Sequence, residues 1–346
     1  MWGMRRLLAR FRRARVGSYM AVELITKKRI EIYSGRSHTE LAEEIASYLG
    51  VRLGSPNLRE FANGEIHCRF GESVRGKDVF IIQTHSAPVN DSVMEQLIMI
   101  DAAKRASAKR ITAVCPSYGY ARQDRKASGR EPITAKLVAA LFRAAGADRL
   151  LSVDLHSGQI QGFFDGPVDH LTSMPVLVNY LRQSAVGHDL VVVAPDAGRV
   201  KVAERFGQHL GCDIALVHKR RPVGTINQVE ARDVVGQIAG RLCVIVDDMI
   251  DTAGTVCAAS ELLMAHGATE VWAMATHGVF SDPAIDRLKN APISRVVVTN
   301  TLPTNPDKQL DKLEVLSVAK VIADAIEAVF ADTSVSEIFG GDNLSS

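Results

Sequence analysis

The chain has 346 residues, of which 47% are hydrophobic and 23% charged; this excludes a mainly disordered polymer and leaves room for two domains. Only 5% are aromatic, which favours α/β layers over an all-β sandwich, and no apolar run approaches the ~18 residues of a membrane helix. The net charge of +2 is uneven: residues 1–20 carry six arginines and no acid, so the remainder sums to −4 and argues against nucleic acid as the main partner.

Residues 1–28 read as a basic N-terminal extension, either disordered or lying partly upstream of a start at Met20. An Arg-rich, acid-free targeting segment is the other reading. Five cysteines form no C-x-x-C pair and their number is odd, so neither a disulfide framework nor a zinc ribbon is expected. A reducing, cytoplasmic setting follows.

From residue 29 short apolar runs alternate with amphipathic stretches. The first strand is expected at 30–34, then a helix at 37–49 that Ser37 or Thr39 could cap. Phe61-Ala62-Asn63-Gly64-Glu65 reads as a turn between strands, and by itself it is a plain Asn-Gly hairpin. A strand at 79–84, a helix at 92–106 and a strand at 111–116 lead to Arg122, Gln123, Asp124, Arg125, Lys126 and Arg130. That charge is either a solvated face or a ligand loop behind a strand. A helix at 134–145 and a strand at 150–155 follow, the latter ending near Asp154 and His156.

Asp165-Gly166-Pro167 and Pro175 mark a boundary near 165–176, giving domains at 29–172 and 173–340. Gly146-Ala147, a strand and His156 are echoed by Gly267-Ala268, a strand and His277, either an internal repeat or the common look of any αβ unit. In the second half, strands are expected at 190–194, 213–218, 242–246, 271–276 and 295–299. Unalternating Val/Ile runs among these suit a parallel sheet buried on both faces. Asp196 follows the 190–194 strand; it is a candidate magnesium ligand on first principles or a helix N-cap. Lys219, Arg220 and Arg221, with Pro222 and Gly224, make a basic loop.

The sharpest segment is 244–255, VIVDDMIDTAGT. A buried strand should end in Asp247-Asp248, and the loop Asp251-Thr252-Ala253-Gly254-Thr255 should open a helix. Backbone amides at a helix N-terminus suit a phosphate, with the two threonines adding hydroxyl donors. The carboxylates cannot usefully face that phosphate, but they can accept hydrogen bonds from vicinal hydroxyls. A sugar phosphate satisfies both ends.

This segment resembles the signature of type I phosphoribosyltransferases and of the related ribose-phosphate pyrophosphokinases. FANGE at 61–65, YARQDRKASGREPI at 120–133, SVDLHSGQIQGFF at 152–164 and HKRRPVGTIN at 218–227 resemble segments of the class I pyrophosphokinase family of bacterial type, in family order. The resemblance covers 29 to about 340. It implies two tandem phosphoribosyltransferase-like α/β domains, each a mainly parallel sheet flanked by helices. It implies ATP binding by Phe61, Asn63, Gly64, Glu65, Arg122 and Gln123, and Mg²⁺ ligation by His156 and Asp196. Lys219 and Arg221 become catalytic candidates, with Arg221 joining Asp247, Asp248, Asp251, Thr252, Ala253, Gly254 and Thr255 around ribose 5-phosphate. It further implies a homohexamer with ATP sites at subunit interfaces, and regulation by phosphate or ADP. Ser73 and Arg75 match the regulatory site, whereas Gly129 stands where several members carry serine.

The expected activity is transfer of the diphosphoryl group of ATP to O1 of ribose 5-phosphate. No Walker A string occurs, so ATP must be held by the segments above. The alternatives are a phosphoribosyltransferase and a catalytically silent regulatory homologue.

Overall fold

The computed structural model describes residues 28–220, 231–308 and 310–339. The first half runs β1 (Ile30–Ser34), α1 (Thr39–Tyr48), β2 (Leu53–Gly54), β3 (Pro56–Glu60), β4 (Ile66–Phe70), β5 (Asp78–Ile82), α2 (Val89–Arg105), β6 (Arg110–Cys115), α3 (Thr134–Ala145), β7 (Arg149–Val153) and β8 (Val168–Leu171). The second half runs α4 (Met174–Ser184), β9 (Leu190–Ala194), α5 (Val200–Leu210), β10 (Asp213–Arg220), β11 (Ala231–Val235), β12 (Leu242–Ile250), α6 (Gly254–Ala265), β13 (Glu270–Gly278), α7 (Ala284–Asn290), β14 (Arg295–Thr299), β15 (Leu313–Leu316) and α8 (Ala319–Ala331).

Two mainly parallel sheets result, as the Val/Ile runs predicted. Their orders are β2-β1-β5-β6-β7-β8 and β11-β10-β9-β12-β13-β14-β15, with β3-β4 as a separate hairpin. Apolar side chains fill both faces of each sheet. On the first, Tyr33, Ile81 and Phe142 lie in one layer and Ile32, Leu41 and Phe80 in the other. On the second, Val191, Ile245 and Leu263 oppose Val192, Phe206 and Trp272. Packing departs from a simple division after residue 172: Ile322, Ala325 and Ile326 of α8 join the layer of Ile32, Leu41 and Phe80 on the first sheet. The chain end thus returns to the lobe that began it.

The two sheets share their register. Ile30 pairs with Asp78 and Leu190 with Leu242; Asp78 pairs with Arg110 and Leu242 with Glu270. Thr112 pairs with Arg149 and Trp272 with Arg295; Leu150 pairs with Val168 and Val296 with Leu313. The halves are therefore a structural repeat, but not in the alignment the sequence suggested. In the shared register β13 matches β6, not β7, so Gly267-Ala268 corresponds to Ser107-Ala108. Both Ser107 (φ 65°) and Gly267 (φ 91°) stand just past their helices in the left-handed region. Gly146 and His156 belong to the next αβ unit, whose counterpart helix α7 ends instead in extended Ala291.

Several local expectations shift for tertiary reasons. β12 continues to Ile250 because β13 keeps pairing with it beyond the end of β9, so Asp247 and Asp248 lie inside the strand. β10 reaches Arg220 because antiparallel β11 extends it, which puts the Lys219 backbone in a ladder opposite Arg232. Neither Ser37 nor Thr39 caps α1; the Ser37 hydroxyl donates to Gln83 Oε1 at 2.6 Å instead.

Candidate active site

β12 places Asp247 and Asp248 at the carboxyl side of the second sheet, where open parallel sheets bind ligands. Arg199, directly after the turn that Asp196 caps, reaches both. Its Nε donates to Asp247 Oδ1 at 2.9 Å and its Nη2 to Asp248 Oδ1 at 2.6 Å. His156, delivered from beyond β7 in the other lobe, donates from Nδ1 to Asp248 Oδ2 at 2.6 Å. With Asp248 ionised, Nδ1 is the ring nitrogen that carries a proton to it. Burial opposes the charge on Asp248, but the His156 hydrogen bond and the Arg199 guanidinium outweigh it and hold this carboxyl below the ordinary range. Asp247 goes the other way, pushed up by burial and by the adjacent Asp248.

The loop that follows wraps a cavity of about 250 Å³, lined by Asp247, Asp248, Asp251, Thr252, Ala253, Gly254 and Thr255 together with Arg122, His156, Asp196 and Arg199. The first amides of α6 have no intrahelical acceptor and are free for an anion. Ala253 precedes α6 at φ 59°, a left-handed conformation that costs a non-glycine residue about 1–2 kcal/mol. Gly254 sits under Arg287, whose Nη1 would be 3.3 Å from an added Cβ and which donates to the Thr252 carbonyl at 2.9 Å. Arg122 of the first lobe pairs with Asp251 of the second, so both lobes line the cavity.

The structure thus gathers the sugar-phosphate candidates other than Arg221, both metal candidates and Arg122 around one cavity. Gln123 turns elsewhere. Its Oε1 accepts from Thr134 Oγ1 at 2.5 Å, and it lines a larger cleft of about 940 Å³ between the lobes, with Tyr120, Met249, Phe280 and Lys308. That cleft and the smaller cavity share Arg122, Met249 and Asp251. Phe61, Asn63, Gly64 and Glu65 line neither space. They form the tip of the β3-β4 hairpin, where Gly64 takes φ 87° and Phe61 is 46% exposed beneath the Arg59 guanidinium. Lys219 contributes its backbone to the end of β10, and Arg221 lies outside the described residues.

Asp154, prominent beside His156 in the sequence, has a different task. It holds φ 39°, and its Oδ2 accepts from the Ser173 amide and hydroxyl and from Thr276 Oγ1 at 2.7–2.9 Å, joining the lobes.

The metal candidates were tested against this donor set. Among the described residues no group of three His, Cys, Asp or Glu side chains is placed to hold an ion. His156 offers Nε2, while Asp196 keeps carboxylate capacity beyond the Gly198 amide that its Oδ1 accepts at 2.8 Å. One imidazole and one carboxylate fit an ion that brings most of its oxygens from substrate and water, the habit of Mg²⁺.

Sequence reasoning missed Arg199 and Arg287. Arg199 lies three residues after Asp196, so its segment was visible; its pairing with β12 was not.

A family model described as the N-terminal domain of ribose phosphate pyrophosphokinase matches residues 30–146, and one described as a phosphoribosyl synthetase-associated domain matches 219–340. A Streptomyces coelicolor protein named ribose-phosphate pyrophosphokinase is 57% identical over 313 residues, covering 90% of this chain and 97% of that relative. The chain belongs to the ribose-phosphate pyrophosphokinase family. A Mycobacterium tuberculosis relative of the same name is 54% identical over 317 residues, covering 91% of this chain and 97% of its own length. The crystal structure of phosphoribosylpyrophosphate synthetase from Mycobacterium smegmatis superposes with a TM-score of 0.84 at 52% identity, covering 88% of this chain and all of that one. The two-lobed α/β plan and the pyrophosphokinase resemblance read from the sequence stand, and neither the phosphoribosyltransferase nor the silent-homologue alternative is favoured.

Proposed function

We infer that the chain transfers the diphosphoryl group of ATP to O1 of ribose 5-phosphate, giving 5-phospho-α-D-ribose 1-diphosphate and AMP for nucleotide synthesis. One observation carries this reading for a member of the family: the acid pair and the amide-rich 251–255 loop border the same 250 Å³ cavity. The loop and the α6 N-terminus take the 5-phosphate, and Asp247 and Asp248 accept from the ring hydroxyls. The neighbouring cleft, with Arg122 on the shared wall and Gln123 on its own, takes ATP. Mg²⁺, when bound, neutralises phosphate oxygens; His156 and Asp196 are the residues that hold it. In-line attack on the β-phosphorus depends chiefly on positioning and charge neutralisation. Lys219, at the end of β10 beside β9, and Arg221 act on the charge of the moving diphosphate.

The chain assembles as the homohexamer that the family resemblance implies; Phe61, Asn63, Gly64 and Glu65, at a hairpin tip away from this chain's own cleft, then complete a neighbour's ATP site. Phosphate and ADP act as effectors through the segment with Ser73 and Arg75. The domains divide near residue 172, with α8 returned to the first, and the setting is cytoplasmic.

Incubation of the protein with Mg²⁺, ATP and ribose 5-phosphate should release AMP in step with the sugar diphosphate. ADP in place of AMP, or no turnover, would overturn the reading.

A further inference from the structure

We propose that Arg199 is a positioning residue for the sugar: its guanidinium holds the Asp247 and Asp248 side chains together as one acceptor face for the ring hydroxyls. This rests on the proposed placement of ribose 5-phosphate at that pair. Successive strand residues ordinarily point to opposite faces, yet both carboxylates meet one guanidinium, at 2.9 and 2.6 Å. All three side chains are largely buried, with exposures of 16%, 14% and 8%. Two acidic side chains placed side by side repel each other and would otherwise splay apart.

The arginine fork removes that difficulty with fixed geometry. Nε and Nη2 occupy one position on each Oδ1, and a carboxylate oxygen can accept more than once. Asp248 Oδ2 is further held by His156, so among the described residues Asp247 Oδ2 is the least engaged oxygen of the pair. Lysine, a single point charge on a flexible stem, could balance the charge but not span both oxygens in this way. Arg199 needs no contact with the reacting atoms to act. It works through the two acceptors, and the Asp196–Arg199 segment thereby supplies both a metal candidate and the clamp.

The test uses the full chain and two variants, Arg199→Met and Arg199→Lys. Ribose 5-phosphate binding is measured by calorimetry without ATP, beside KM for each substrate and a thermal melt. Arg199→Met should weaken ribose 5-phosphate binding by about 10–100-fold, the scale of a charge-assisted hydrogen bond. KM for ATP and the melt should stay close to those of the wild type. Arg199→Lys should fall between the two. Unchanged ribose 5-phosphate affinity in Arg199→Met overturns the proposal. So does a joint loss of ATP and ribose 5-phosphate affinity with a lowered melt in both variants, the mark of a merely structural role. A wild-type chain that binds no ribose 5-phosphate would instead sink the underlying functional reading.

Discussion

At the carboxyl end of β5, Gln83 and Thr84 occupy the positions that Asp247 and Asp248 hold in β12, because the two sheets share one register. In the first lobe those positions are buried and tied to protein partners, although Gln83 also borders a separate cavity of about 390 Å³ with Arg36 and Glu95. Thr84 Oγ1 donates to the Thr301 carbonyl at 2.5 Å across the lobe boundary, and Gln83 bonds Ser37 and Glu95. His85, next along, accepts the Gly119 amide at 2.7 Å and donates to Gln96 at 2.9 Å. In the second lobe the same strand positions border a cavity. A repeated scaffold therefore fixes which positions lie at the carboxyl side of the sheet, while the side chains there decide whether they join lobes or bind a ligand. An amide and a hydroxyl spend their polar groups on protein partners in one copy; paired carboxylates with an arginine leave the other able to accept hydroxyls.

That contrast can be broken from either side. The largest effect is expected at the second lobe's hairpin: Lys219→Ala should lower kcat and kcat/KM together by about 10²–10³-fold with an unchanged melt. A raised KM for ATP with kcat preserved would make the lysine a ground-state contact.

The next effect belongs to the first lobe and concerns stability. Burial lowers the His85 pKa from 6.5 to about 4, so this residue folds neutral. Its contribution is complete above pH 6.5 and is lost as pH falls from there to about 4, amounting to about 3 kcal/mol. Denaturant midpoints across pH 4–7 should show this loss in the wild type and a shallower one in His85→Gln. Equal slopes would assign the acid sensitivity to other groups.

Asp248→Asn turns an acceptor oxygen into a donor and should raise KM for ribose 5-phosphate by about 10–100-fold. Because Asp248 also orients His156, KM for Mg²⁺·ATP should rise too, whereas Asp247→Asn should affect the sugar alone. Identical kinetic profiles for the two variants would contradict that division. The smallest change is Thr84→Val, which strands the Thr301 carbonyl and the Ser117 amide and should cost about 1–2 kcal/mol with KM and kcat retained. A change in KM instead would give the joint a functional part.

The sequence by itself determined the local elements with strong patterns. β1, β9, β14 and α3 fall where their apolar runs and helical spacing put them. It also determined the 251–255 loop, since small and hydroxyl residues behind a buried strand have few other uses. The loop's neighbours in space were legible only as separate segments. That His156 and Arg122 of one lobe meet Asp248 and Asp251 of the other depends on two sheets facing each other at their carboxyl ends. The true alignment of the repeat, the return of α8 to the first sheet and the lengths of β10 and β12 were likewise decided by partners distant in the chain. Arg199 shows the reason most clearly. Its charge is visible in the sequence, but whether a cation is solvated or clamps two carboxylates depends on which buried groups lie within about 3 Å, and strand pairing sets that while local propensity does not.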